Sequence, residues 1–163
     1  MRLCVLAFLL FGVSCRTPPV GQEFRIPLGE RLVLHLTEAP FDSAAHTIAL
    51  SGSHASGYVY AIDGNPFFGS DGETPRTTLT SANLEVNGQQ VPLDVRGMFN
   101  PMLQRRGPDY FQVEPYFGGW IVRGLFSDGA GSYMAEWIAF EGGSLRTIVT
   151  NNDVVIQTLF GGD

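Results

Sequence analysis

Residues 84–95 read Leu84-Glu85-Val86-Asn87-Gly88-Gln89-Gln90-Val91-Pro92-Leu93-Asp94-Val95. Asn87-Gly88 is a pair that a type I′ turn favours, because both central positions of that turn need a positive φ. Apolar and polar residues alternate on either side, so folding about the turn sets Leu84 against Val91 on one face of a two-stranded ribbon. Pro92 has no N–H to give to a ladder, which puts one side of its strand at a sheet edge. The period of this stretch is two, and the rest of the chain keeps to it.

Upstream, Leu32, Leu34 and Leu36 share one face of a strand over 31–37, and two short strands over 46–51 and 57–63 flank Gly52-Ser53-His54. From Asp109 onward, strands are separated by Gly118-Gly119, Asp128-Gly129-Ala130-Gly131, Gly142-Gly143 and Asn151-Asn152-Asp153. Turn signals about ten residues apart are the spacing of an all-β sandwich or barrel. Trp120, Val122 and Phe126 form one inward row, and Met134, Ile138 and Phe140 another. Tyr133, Ala135, Trp137 and Ala139 make the opposite face of that second strand. With both faces apolar, 132–140 reads as a central strand covered on two sides. No helical stripe exceeds two turns, and no repeat accompanies the spacing. The expectation is an all-β fold: an antiparallel β-sandwich or partly open barrel of about nine or ten strands, ending in a C-terminal meander over 109–160.

The first residues follow a different logic. Arg2 precedes an apolar run from Leu3 to Phe11, then Gly12-Val13-Ser14-Cys15 and Arg16-Thr17-Pro18-Pro19. That is the layout of a secretory signal peptide, and the run is far short of the roughly 20 residues a spanning helix needs. Gly12-Val13-Ser14-Cys15 resembles the lipobox of bacterial lipoproteins, departing from it at Gly12, where an aliphatic residue is usual. The resemblance implies cleavage before Cys15 and lipid on that cysteine, hence an exported protein anchored in the bacterial cell envelope. Cleavage by ordinary signal peptidase after the small pair Gly12 and Ser14 would instead leave a free periplasmic protein. The expected division is 1–14 signal peptide, 15–23 tether and 24–163 a single β-domain.

Removing 1–14 leaves 163 − 14 = 149 residues, one ordinary domain. Every basic residue is Arg, and the loss of Arg2 takes the net charge from −6 to −7. An acidic chain without a basic stripe argues against nucleic acid and against an electrostatic hold on anionic lipid. The membrane is expected to be met only through Cys15. Both cysteines, Cys4 and Cys15, lie in the leader region. The domain therefore has no disulfide, no thiolate metal site and no Cys nucleophile.

Two segments break the short-turn pattern, 63–76 and 96–108. Loops of this length carrying their own apolar residues are commonly functional or packed on themselves. They supply the candidate binding residues: Asp63, Asn65, Phe67, Phe68, Asp71 and Glu73 in the first, and Met98, Phe99, Arg105 and Arg106 in the second. Aromatic and Arg side chains of this kind, taken as exposed, are the usual interface anchors. Asp63, Asn65, Asp71 and Glu73 are also oxygen donors suited in type to Ca²⁺, but without EF-hand spacing they read first as turn residues. His35, His46 and His54 lack the spacing of a zinc motif and read as solvated. No cofactor is expected. There is no Gly-x-Ser-x-Gly elbow, and 124–132 joins two strands rather than a strand and a helix, so it reads as a Gly-rich hairpin loop and not a phosphate cradle. Glu136 stands in phase with Met134 and Ile138; a cross-strand pair with Arg123 or Arg146 accounts for it.

These features favour a non-enzymatic envelope domain that binds a protein partner through its long loops, one version being an immunity protein against a basic toxin. A lipocalin-like carrier of a small apolar ligand is the second reading. A hydrolase of envelope polymers, working through carboxylates, is the third.

Overall fold

The computed structural model describes residues 20–52 and 57–161. The expected signal peptide over 1–14, the expected lipid site Cys15, and His54 lie outside the described residues.

Three sheets make up the fold among those residues, all antiparallel. The first has the order β1 (Gln22–Gly29), β2 (Leu32–Pro40), β5 (Thr77–Val86), β6 (Gln89–Leu93). The second is a meander of β7 (Phe111–Tyr116), β8 (Gly119–Phe126), β9 (Tyr133–Phe140) and β10 (Gly143–Thr150). The third is a small hairpin of β3 (Ile48–Ser51) and β4 (Tyr58–Ile62). The two four-stranded sheets face each other as a sandwich and do not close into a barrel. On one side β6 lies against β10, bridged by Ser144 Oγ donating to Pro92 O at 2.6 Å; on the other β1 approaches β7.

The hairpin at 84–95 forms as its turn residues require: Asn87 and Gly88 have φ of 52° and 84°, and Leu84 pairs with Val91. Pro92 sits on the last strand of its sheet. Leu34, Leu36 and Leu84 of the first sheet meet Val122, Phe126, Tyr133 and Trp137 of the second, all fully buried. Phe126 is the hub, stacked on Tyr133 at 5.3 Å and edge-on to Phe111 and Trp137. Burying one such side chain contributes roughly 1.5–3 kcal/mol. Side chains of both sheets fill the space between them.

Three expectations need correction. The core face of β9 is Tyr133, Ala135, Trp137 and Ala139, so the row of Met134, Ile138 and Phe140 points outward, and Phe140 is 49% exposed. Met134 and Glu136 on that outer row are nonetheless buried. Second, the meander ends at Thr150. After Asn151-Asn152 the chain turns into a helix, α1 (Asp153–Phe160), because the Asn152 side chain accepts from the amides of Val154 and Val155 and caps it. Gln112 on the outer face of β7 ties the helix back by donating to Phe160 O at 2.9 Å. Third, β1 begins at Gln22, inside the stretch expected to be tether.

Glu136 makes the expected cross-strand pair. It lies opposite Arg123, whose Nε donates to Glu136 Oε2 at 2.7 Å, while Nη1 donates to Glu114 and Thr147 Oγ1 donates to Glu136 Oε1. Glu114 and Glu136 are thereby both bound to one guanidinium.

Candidate functional site

Segments 63–76 and 96–108 run side by side and are stitched into a seam. Phe68 N donates to Gly97 O and Phe99 N to Phe68 O, both at 2.9 Å, forming a short parallel bridge between Phe68 and Met98. Asn100 extends the seam. Its Oδ1 accepts from the amides of Arg76 and Thr77, its Nδ2 donates to Gly69 O at 2.8 Å, and its own amide donates to Thr77 O. Gly69 has φ 101°, and a Cβ there would fall 1.8 Å from Phe99 O, so only glycine lets the two backbones approach so closely.

On one side of the seam lies a cleft of about 630 Å³. The turn between β8 and β9 forms its other wall: Ser127 N donates to Pro101 O, and Arg106 donates to Ser127 O from beneath while its guanidinium lies 4.2 Å from the Tyr110 ring centroid. Glu38 is fixed at the base, with Oε1 accepting from Thr77 Oγ1 at 2.6 Å and Oε2 from Leu103 N at 2.9 Å. Around it stand Asp71, Glu73, Asp128, Arg76 and Arg105. Four carboxylates against two guanidiniums leave a surplus of two negative charges, and Arg105 is already within 3.4 Å of Asp128. Asn100, Met102 and Ser127 line the cleft with φ of 41°, 55° and 59°. Left-handed conformations at non-glycine residues are costly and concentrate at functional sites. Two polar atoms near the floor, Tyr133 Oη and Arg106 Nε, are buried without a hydrogen-bond partner. Burial first, and the nearby Glu38 charge second, push the Tyr133 hydroxyl well above its usual pKa, so it stays neutral.

On the other side of the seam lies a groove of about 870 Å³, walled by Ile62, Phe68, Val95, Phe99 and Val149 and rimmed by His46, Asp63, Arg96 and Arg146. His46 Nδ1 is 2.7 Å from Asp63 Oδ2 and stacks on Phe41, and the hydrogen bond with His46 lowers the Asp63 pKa. Asp94 holds two cations. Arg96 grips it through two bonds of 2.9 and 2.8 Å, and Arg146 Nη2 lies 3.7 Å away. The bond from Arg96 is the main cause of an Asp94 pKa of about 2.

The residues expected in the two loops therefore part company. Asp71, Glu73 and Arg105 line the cleft and Arg106 braces it from below. Asp63, Asn65, Phe68 and Phe99 line the groove. The aromatics taken as exposed anchors are turned inward. Phe99 packs edge-on against Phe41 and Phe67 in a satellite core with Val59 and Ile62, and Met98 is fully buried in the main core. The seam that anchors the loops consumes the side chains that looked available. The oxygen donors Asp63, Asn65, Asp71 and Glu73 fall on opposite sides of it, and among the described residues no three His, Cys, Asp or Glu side chains are placed to hold a metal. His35 and His46 are paired to Glu85 and Asp63 rather than solvated.

Sequence reasoning passed over Glu38, Arg76 and Thr77 and read the turn at 124–132 only as a Gly-rich hairpin loop. One signal was present: Ser127-Asp128-Gly129-Ala130-Gly131 is longer than a two-residue hairpin needs. No family model matches this chain, and neither a curated protein nor a solved structure matches it.

Proposed function

We propose that this chain is an exported domain of a bacterial cell envelope, held by lipid at Cys15, whose acidic cleft binds a protein partner. The observation that carries the reading is the convergence of both long loops and the 127–131 turn on one recess, with three strained non-glycine residues in its lining. A recess built at such conformational cost, and walled by residues from four separate stretches of chain, is better suited to recognition than to packing. Its surplus of two negative charges favours a basic partner surface. An immunity protein facing a basic envelope-acting toxin is one version that fits. Glu38 and Asp128 are spent on Thr77, Leu103 and Arg105 rather than paired across a gap for acid–base work, which favours binding over hydrolysis.

A photo-crosslinking amino acid placed at Asp71, Glu73 or Gln104 in the producing cell tests this. A discrete protein adduct from those positions, absent when the probe stands at exposed Gln90 on the far hairpin, is the expected result. Adducts of equal yield from Gln90, or none from the cleft, would overturn the reading. Labelling with an alkynyl fatty acid, lost in Cys15→Ala, tests the anchor separately.

A further inference from the structure

The groove on the far side of the seam exists because the first sheet is incomplete there. β6 pairs only with Ala82–Val86 of β5. Beyond that point β5 is bordered instead by the 96–100 segment, through Leu79 N donating to Met98 O and the Thr78–Phe99 bridge. No strand ladder joins that segment to β10 among the described residues; Arg146 of β10 reaches across to the Asp94 and Arg96 carbonyls, and Val95 and Val149 line the opening that remains. The opening is a trough of about 870 Å³, within the usual range of small-ligand sites of roughly 300–1,000 Å³.

Its chemistry is lopsided. Phe68, Phe99, Val95 and Val149 give it apolar walls, whereas Arg96 and Arg146 stand together on its rim. Both guanidiniums share one carboxylate, Asp94, and the other carboxylate of the lining, Asp63, is bound instead to His46 and the Thr47 amide, so the guanidinium pair itself keeps one positive charge beyond Asp94. Arg146 is anchored by Nη1 on the carbonyls of Asp94 and Arg96, and its side chain is only 18% exposed. The surplus charge is therefore held in place rather than swinging freely in solvent. An apolar trough with a fixed, incompletely neutralised guanidinium pair at its rim complements a molecule with an anionic head and a hydrocarbon body.

We propose that the groove binds a single-chain amphiphile with a carboxylate head, the chain lying along Phe68, Phe99, Val95 and Val149 and the head on Arg96 and Arg146. This site is separate from the acidic cleft, and neither reading depends on the other.

Titration calorimetry of the folded chain with dodecanoate below its micelle concentration tests it, with dodecanol and dodecyltrimethylammonium as the neutral and cationic counterparts. One dodecanoate per chain is expected, bound about tenfold more tightly than dodecanol, with the ammonium amphiphile weaker still. Arg96→Gln, at a side chain 87% exposed and so safe for folding, is expected to erase most of the preference for dodecanoate while leaving dodecanol unchanged. Thr80→Trp, at an exposed position lining the trough, is expected to abolish binding of both while circular dichroism reports an unchanged fold. Equal affinity for all three amphiphiles, binding indifferent to Thr80→Trp, or no binding of dodecanoate overturns the proposal.

Discussion

The acidic cleft and the apolar groove share a wall one seam thick, yet they have opposite chemistry. Phe68 and Phe99 face the groove, and their immediate neighbours Gly69 and Asn100 face the cleft. The two recesses differ because Phe68 and Phe99 are fixed by bridges at the seam, while the residues that follow them, Gly69 and Asn100, are left-handed and turn the chain toward the cleft. The seam thereby acquires two faces. The apolar face then packs a satellite core with Phe41 and Phe67, and the polar face is left to line a recess.

Breaking the wall is the most severe test of this comparison. Gly69→Ala sets a Cβ against Phe99 O at a φ that alanine tolerates poorly. It is expected to cost roughly 3 kcal/mol or more and about 10 °C in Tm. Thermal unfolding followed by circular dichroism measures it, and a Tm within ~2 °C of the parent would mean the seam is not held as described.

Asn100→Ala removes the acceptor for two amides and the donor to Gly69 O in one step. A loss of about 2 kcal/mol is expected from urea unfolding. Asn100→Asp keeps the acceptor and should lose about half as much.

On the groove side, Asp94 sharpens the contrast through pH. Its pKa is depressed from the usual 3.8 to about 2, so its contribution is complete above the unfolded value and is lost as pH falls through about 2. Because Arg96 is 87% exposed, solvent screening limits the effect to about 1 kcal/mol. Asp94→Asn is expected to be less stable than the parent by that amount near neutrality, with the two converging as acid is added. A difference that grew on acidification would contradict the assignment.

The smallest change is expected at the cleft floor. Tyr133→Phe removes a buried hydroxyl that has no partner, so stability is expected to stay within ~0.5 kcal/mol or to rise. A loss above ~1 kcal/mol in the same urea titration would show that the hydroxyl is engaged.

Local features of the sequence were legible where one interaction decided the outcome. Asn87-Gly88 specified its turn, Leu32, Leu34 and Leu36 their buried face, and the glycine pairs of the meander their positions. The faces of β9 were ambiguous because both rows are apolar, and only docking against the first sheet chose Trp137 over Ile138. Asn152 reads equally as a turn residue or a helix cap, since the same side-chain oxygen serves both, and two turns of helix leave too short a stripe to distinguish them.

The loops mark the limit most clearly. Their length announced a site, and their residue types suggested exposed aromatic anchors. Burial of Phe99 and Met98 depends instead on pairing with Phe68, far away along the chain, and such pairing has no periodic signature in either segment. By itself the sequence determined an acidic, lysine-free chain with an all-β period, two cysteines confined to its first fifteen residues, and two segments, 63–76 and 96–108, that break the short-turn pattern. Tertiary structure alone decided that those loops zip together, that Glu38 and the 127–131 turn complete the cleft, and that β6 stops short enough to open the groove. Period and turn chemistry are written in neighbouring residues; which segments meet is settled only when the whole core is buried at once.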